Sequence, residues 1–424
     1  MKVEQALRLL PDLEAVMPLR GLLLAISRPD ERVQWGSGGP YLTVGKREVD
    51  AGELERRMEW VLERVTKHVS ALYRAYVRAL ELQAGGAHTG AVQALLAAGR
   101  LEEGVGRLSQ ARAWYEVALS VAEGLQEQRP QVETLLALGR VCLALGQFAE
   151  AGRHYQRALV LAEAEFDQGG AVDAGVGLGS VSLERAEWAG AQAWYSRALR
   201  LVTANGDRLR RGRIEHQLGL LARRQGDLTA AGEHLREARD CFEAAEAGPE
   251  MAAVLDAQGQ LDVALGRHAP AAAAFREALA WARRDEQAPD LDVTIRIHFA
   301  ELLLDTDRLL EAEEEMRHAE QLAVTAGLTR RLVHIYALLG RLRGRQGDET
   351  GFVFFEQALE LCRTLERSPA EEARVYHEYG LFRSRLGARD EARAYLEHAQ
   401  EIFASLGVDA EVQRVKAELQ TLTA

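Results

Sequence analysis

The residues best equipped for chemistry in this chain are eleven His, three Cys and one Gly-rich run beside a lysine. A zinc protease needs two His a helical turn apart with a Glu between them, and no HExxH occurs. Glu315 and His318 make one ExxH step, whereas a di-iron carboxylate bundle needs two such steps and further Glu. Cys142, Cys241 and Cys362 lie far apart without a CxxC pair, which reads as inert core thiols in a reducing compartment. Gly39 and Gly45 enclose five residues before Lys46, one more than a phosphate loop has. Arg47 also stands where Ser or Thr would hold Mg²⁺, so the run reads as a turn. With no GxSxG and no Rossmann-type Gly fingerprint, the expectation is a non-enzyme with no catalytic, cofactor-binding or metal residues.

Chemistry of a different kind is carried by arginine. Of the 52 basic residues all but four (Lys2, Lys46, Lys67 and Lys416) are Arg, and Asn205 is the only Asn, a bias that a GC-rich bacterial genome would also produce. The formal net charge is −12, which argues against a general nucleic-acid binder and favours solubility. Residues 1–90 are close to neutral, with 13 basic and 12 acidic side chains, so the acidity belongs to the remainder. No run approaches the roughly 20 apolar residues of a membrane span. The apolar stretch from Leu19 follows Asp12, Glu14 and Pro18 and carries Arg20, a poor secretion signal. The expected compartment is the cytoplasm.

Positioning is dictated by a repeat. Small residues recur at Gly99, Gly139, Gly179, Gly219, Gly259, Ala300, Gly340 and Gly380, in steps of 40 and once 41. A second Gly follows after seven residues at Gly106, Gly146, Gly226, Gly266, Gly347 and Gly387, with Ala186 and Asp307 as exceptions. At offset twelve stands Ala (Ala111, Ala151, Ala191, Ala231, Ala271), and at offset nineteen Ala again (Ala118, Ala158, Ala198). Between them, at offset sixteen, comes a large side chain: Tyr115, Tyr155, Tyr195, Leu235, Phe275, Met316 and Leu396, with Phe355 in the seventh unit, one residue short. Offsets twelve, sixteen and nineteen follow i, i+4, i+7 and share a helix face. The turn Gly suits the left-handed C-terminal position of the helix before it. Each unit is therefore a helical hairpin whose apolar face must be covered by its neighbours.

The motifs LLALGRVCLALGQFAEAGRHYQRAL, from Leu135, and EHQLGLLARRQGDLTAAGEHLREA, from Glu215, resemble the tetratricopeptide repeat. The likeness runs over residues 92–405, and the longer unit resembles the 40-residue subclass of kinesin light chains, bacterial peptide receptors and maltose-activator-type regulators. The resemblance implies an all-α fold, a right-handed α-solenoid of about eight tetratricopeptide-like helical hairpins with an N-terminal helical segment and a C-terminal capping helix. It also implies that the first helix of each hairpin lines a concave groove. The slots concerned lie six and three residues before the small residue and one, four and five after it. They hold Arg100, Arg140, Arg213, Arg223, Arg224, Arg341, Arg345, Arg374 and Arg385, together with His216, His334 and His377. They also hold Glu103, Glu133, Asp173, Glu184, Asp256, Glu301 and Asp305. Repeat four is basic, five and six acidic, seven and eight basic again. One reading is a solvated mixed-charge face, and the other is a groove whose Arg forks engage carboxylates of a partner.

At the ends, residues 1–52 read as an irregular segment with short helices and a β-hairpin or loop over Arg32–Val44. Residues 53–84 read as a long helix whose seam includes Met58, Val61, Val65 and Leu72, either an N-terminal cap or a homodimer contact through residues 53–83. Residues 408–424 read as the C-terminal capping helix, with Val412, Val415, Leu419 and Leu422 on one side. The expected function is a protein–protein interaction scaffold or adaptor that binds a protein or peptide with an acidic or mixed-charge segment. No membrane partner is expected, and nucleic acid is disfavoured because the slots lack Lys and stacking aromatics. The alternative is a ligand- or peptide-sensing regulator of the tetratricopeptide receptor type, against which stands the lack of Asn in the slots.

Overall fold

The computed structural model describes residues 31–36, 39–44, 47–48, 74–75, 78–79 and 81–82, and then 86–423 apart from 105–106, 126–127, 285–288, 365–368 and 407. Seventeen α-helices occupy the described residues from His88 to Thr423. Near the N-terminus, β1 (Glu31–Gly36), β2 (Gly39–Val44) and β3 (Arg47–Glu48) form an antiparallel sheet in which Trp35 faces Pro40 and Val44 faces Arg47. The proposed seam residues Met58, Val61, Val65 and Leu72 lie outside the described residues.

The chain divides into two compact units, Leu62–Leu291 and Met1–Val61 with Asp292–Ala424. In the first, five hairpins follow one another: α1 (His88–Gly104) with α2 (Leu108–Glu123), α3 (Arg129–Ala144) with α4 (Phe148–Ala164), and α5 (Gln168–Glu184) with α6 (Trp188–Asn205). They continue with α7 (Arg208–Arg224) and α8 (Leu228–Ala244), then α9 (Gly248–Ala264) and α10 (His268–Ala282). Each helix packs on the next, and the first helices also meet one another, α1 on α3, α3 on α5, α5 on α7 and α7 on α9. In the second unit, α11 (Pro289–Asp305), α12 (Leu309–Ala326), α13 (Thr329–Arg345), α14 (Phe352–Thr364), α15 (Pro369–Arg385) and α16 (Arg389–Ser405) repeat the pattern. There α17 (Asp409–Thr423) lays Val415 and Leu422 over Ala373, Leu396 and Phe403.

The residue types explain the hairpins. Where the turn within a hairpin is described, it enters the left-handed region at the residue seven after the small one, as at Gly146 (φ 74°) and Gly226 (φ 83°), where a missing Cβ removes the steric penalty. Ala186 and Asp307 hold the same conformation without being Gly, at φ 57° and 59°. The small residue admits the large side chain at offset sixteen of its own hairpin. A Cβ built on Gly99 would lie 2.2 Å from the Tyr115 ring, on Gly139 2.7 Å from Tyr155, on Gly259 2.6 Å from Phe275 and on Gly340 2.4 Å from Phe355. Tyr155 is held from its other side as well, since a Cβ on Gly177 of the following hairpin would lie 2.4 Å away. One ring thus ties two units together.

Candidate functional site

Contacts between first helices bring slots from consecutive repeats side by side, and ion pairs one repeat apart run between them. Arg140 on α3 forks onto Glu103 on α1, with Nε donating to Oε1 at 2.6 Å and Nη2 to Oε2 at 2.9 Å. The Tyr115 hydroxyl donates to the same carboxylate at 2.8 Å. Burial opposes ionisation of Glu103, but the Arg140 hydrogen bond and charge outweigh it, and its carboxyl sits below the ordinary range. Burial and the Glu103 charge together push the Tyr115 phenol up. Farther along, Gln93 Nε2 donates to Glu133 at 2.6 Å, Arg224 to Glu184 at 2.7 Å, and Arg213 to Glu250 at 2.6 Å. Asp173 is gripped by both arms of Arg210, at 3.0 and 2.9 Å.

The centre of this row differs. On α7 the half-buried His216 and Arg223 face Asp256 of α9, and the buried His216 Nε2 and Arg223 Nε have no hydrogen-bond partner among the described residues. Desolvation, opposed by Asp256 and reinforced by Arg223, pulls the His216 imidazole down to about 4. Desolvation and the neighbouring Arg224 charge likewise lower the Arg223 guanidinium from its ordinary value. Gln260 donates to Asp256 at 2.8 Å, and Tyr195 donates to Gln217 at 3.4 Å beside Ser180. The result is a polar patch in which two buried nitrogens lack a hydrogen-bond partner among the described residues.

In the second unit, His334 lies 3.2 Å from Glu301, Arg341 pairs with Asp305, and Arg345 reaches Asp305 only at 3.8 Å. Arg374 is exposed and, like Arg385, makes no ion pair among the described residues. Desolvation and the Arg345 and Arg341 charges hold Arg385 below its ordinary value. His377 is placed elsewhere: it is buried and bonds Glu418 of α17, so it joins the capping helix to α15 and is not offered to a ligand.

Structure thus brings Arg140, Arg213, Arg224, Arg341 and Arg345 into ion pairs and leaves Arg100, Arg223, Arg374 and Arg385 without one among the described residues. Sequence reasoning missed Arg210 and Glu250, which lie outside the slots. Arg210 had a local signal: Asp207 caps α7 by accepting from the Arg210 backbone N–H and also receives its side chain at 2.6 Å. Among the described residues no group of three or more His, Cys, Asp and Glu stands close enough for a metal ion. Glu315 of the ExxH step is taken by the buried Arg296, which also binds Asp292. Burial pushes the Cys142 thiol to about 11 and that of Cys362 to about 12, away from nucleophilic thiolate. No helix among the described residues is long and apolar enough to cross a membrane.

Comparison with known proteins places this geometry. Tetratricopeptide repeat models match residues 210–284 and 373–405. The sequence has no match among curated proteins. Among solved structures, the Rap conjugation gene regulator of plasmid pLS20 in complex with the Phr* peptide is similar, at 17% identity and a TM-score of 0.53 over 67% of this chain and 77% of that one. A Rap protein complexed with competence and sporulation factor aligns at 12% identity and a TM-score of 0.50, covering 78% and 97%. A signal transduction ATPase with a tetratricopeptide repeat sensor from Pyrococcus horikoshii aligns at 13% and 0.52, covering 78% of this chain and 54% of that one.

Proposed function

Since the chain belongs to the tetratricopeptide-repeat family, we propose that it is a binding protein that holds an acidic or mixed-charge segment of a protein or peptide along its first helices. The observation that supports this reading is the pair of nitrogens on His216 and Arg223 without a hydrogen-bond partner among the described residues, set in a row where Arg140 and Arg224 pair with Glu103 and Glu184 across repeats. Exposed cross-repeat pairs contribute little to stability, about 1 kcal/mol or less each. A half-buried guanidinium with an unused donor gains more when a carboxylate arrives, about 1.5–3 kcal/mol for a hydrogen bond to a charged group. The first contact of a ligand is therefore Arg223, flanked by His216, with Gln217 and Gln260 as neutral partners for its backbone. Within the same unit Arg100 extends the row, and the ion-paired Arg140, Arg213 and Arg224 orient neighbouring hairpins.

The runner-up, a peptide-sensing regulator, draws on the Phr* peptide bound by the Rap conjugation gene regulator of pLS20. It differs from a scaffold in requiring that the peptide change the protein's affinity for a second partner. Titration of a fluorescein-labelled peptide carrying six consecutive Glu into the full chain, at low and at moderate salt, tests the shared claim. Arg223→Glu should weaken binding at least tenfold and flatten its salt dependence. Charge reversal at Arg283 and Arg284, where Arg284 lies over the Trp281 ring at 4.1 Å, should leave it unchanged. Equal effects at the two places would remove the assignment.

A further inference from the structure

On the face of α9 opposite the slots, a pocket of about 470 Å³ opens between α8, α9 and α10. Its cause is legible in the repeat. Immediately before the large side chain at offset sixteen, the other units carry Trp114, His154, Trp194, His234, Glu315, Phe354 (the seventh unit being one residue short) and Tyr395, whereas the fifth carries Ala274. In the third unit Trp194 lies against the core formed by Tyr155, Ala158 and Val181, filling the space between one second helix and the next hairpin. Ala274 leaves the corresponding space beside α8 open, and Ala273, Leu255 and Leu261 line it.

Charge is distributed around this apolar lining. Arg239 is held by Glu277 at 3.2 Å and Arg267 by Asp262 at 2.6 Å, all four at the pocket. Arg236, also at the pocket, makes no ion pair among the described residues, so the lining keeps one uncompensated positive charge. The volume falls within the 300–1,000 Å³ or so of small-molecule sites, and the lining sets Leu255, Leu261, Ala273 and Ala274 beside five charged side chains and Gln258. A guanidinium with a free fork selects a planar carboxylate.

We propose that this pocket is a second binding site, separate from the slot row, for a small aromatic carboxylate whose ring takes the place of the missing Trp-like side chain and whose carboxylate meets Arg236. Isothermal titration of the full chain with benzoate, phenylacetate and indole-3-acetate tests it, with indole-3-acetamide as the uncharged control. At least one acid should bind saturably, and the amide at least tenfold more weakly than indole-3-acetate if that acid is the ligand. Ala274→Trp, which restores the residue of the first and third units, should abolish binding with no fall in melting temperature. Arg236→Gln, on the surface and independent of that packing, should weaken it at least fivefold. Lack of saturable binding by all three acids overturns the proposal, as does an unchanged affinity in both variants. Arg223→Glu should leave these acids' affinity intact, which separates failure here from failure of the peptide reading.

Discussion

At the scale of single residues, what decides the packing is a contact between a Gly and a ring. Tyr155 lies between Gly139 and Gly177, and either Cβ would approach the ring to within 2.7 Å. Gly139→Ala therefore forces the ring or α3 to move, and overpacking of this sort costs about 1–3 kcal/mol. The sixth unit contains the relief within the same chain: Ala300 and the unbranched Met316 stand at the same two registers, both fully buried. Tyr155→Met in the Gly139→Ala background should thus recover at least half of the lost stability, although Tyr155→Met alone is destabilising. Urea unfolding of the four chains gives the coupling directly, and a coupling near zero would refute the contact. The same ring row accounts for the chemistry above, because Tyr115 and Tyr195 carry their hydroxyls through to Glu103, Ser180 and Gln217.

At the scale of the helical hairpin, the turns follow one hydrogen-bond scheme. Gly146 N–H donates to Leu143 O at 3.0 Å and Gln147 N–H to Cys142 O at 2.8 Å, and Ala186 and Glu187 repeat this on Leu183 and Ser182 at 3.1 and 2.8 Å. Ala186 does so at φ 57°, where an L residue is strained by about 1–2 kcal/mol and Gly is not. Gly also gains unfolded-chain entropy, which offsets part of that, so Ala186→Gly should stabilise by up to about 1 kcal/mol. A thermal melt that moves down would show that Ala186 earns its place by some other contact. Such turns, and the small-residue and ring registers, were legible in the sequence because every unit restates them at fixed offsets. The charge row was only half legible. The slot residues could be placed, but each ion-paired slot Arg finds its carboxylate about one repeat away, at a residue that changes from unit to unit: Glu103, Glu184, Glu250, Asp305. No local pattern links such pairs. His377 carries the same lesson, since its partner Glu418 belongs to a terminal helix outside the repeat.

At the scale of the whole molecule, within each unit the described hairpins pack on the hairpins next to them, so stability should be close to a sum of hairpin and interface contributions. Damage in one repeat should then spread one hairpin either way and fade. Gly219→Leu tests this, because a Cβ there would already lie 2.8 Å from Leu235 and 3.4 Å from the Ala231 carbonyl oxygen, and the backbone cannot swing aside as a side chain can. Leu should loosen α7 against α8 by about 1–3 kcal/mol or more. Hydrogen exchange should rise in α5 to α10 and stay as in the wild type over α15 to α17, where Leu396, Phe403 and Val415 form a core of their own. The proteolytic pattern should agree, with new cleavage confined to residues near the damaged hairpin. If instead amides of α15 to α17 exchange faster in step with those of α7, the chain unfolds as one cooperative body. The nearest-neighbour account of its stability would then have to be abandoned, however well the repeat describes its packing.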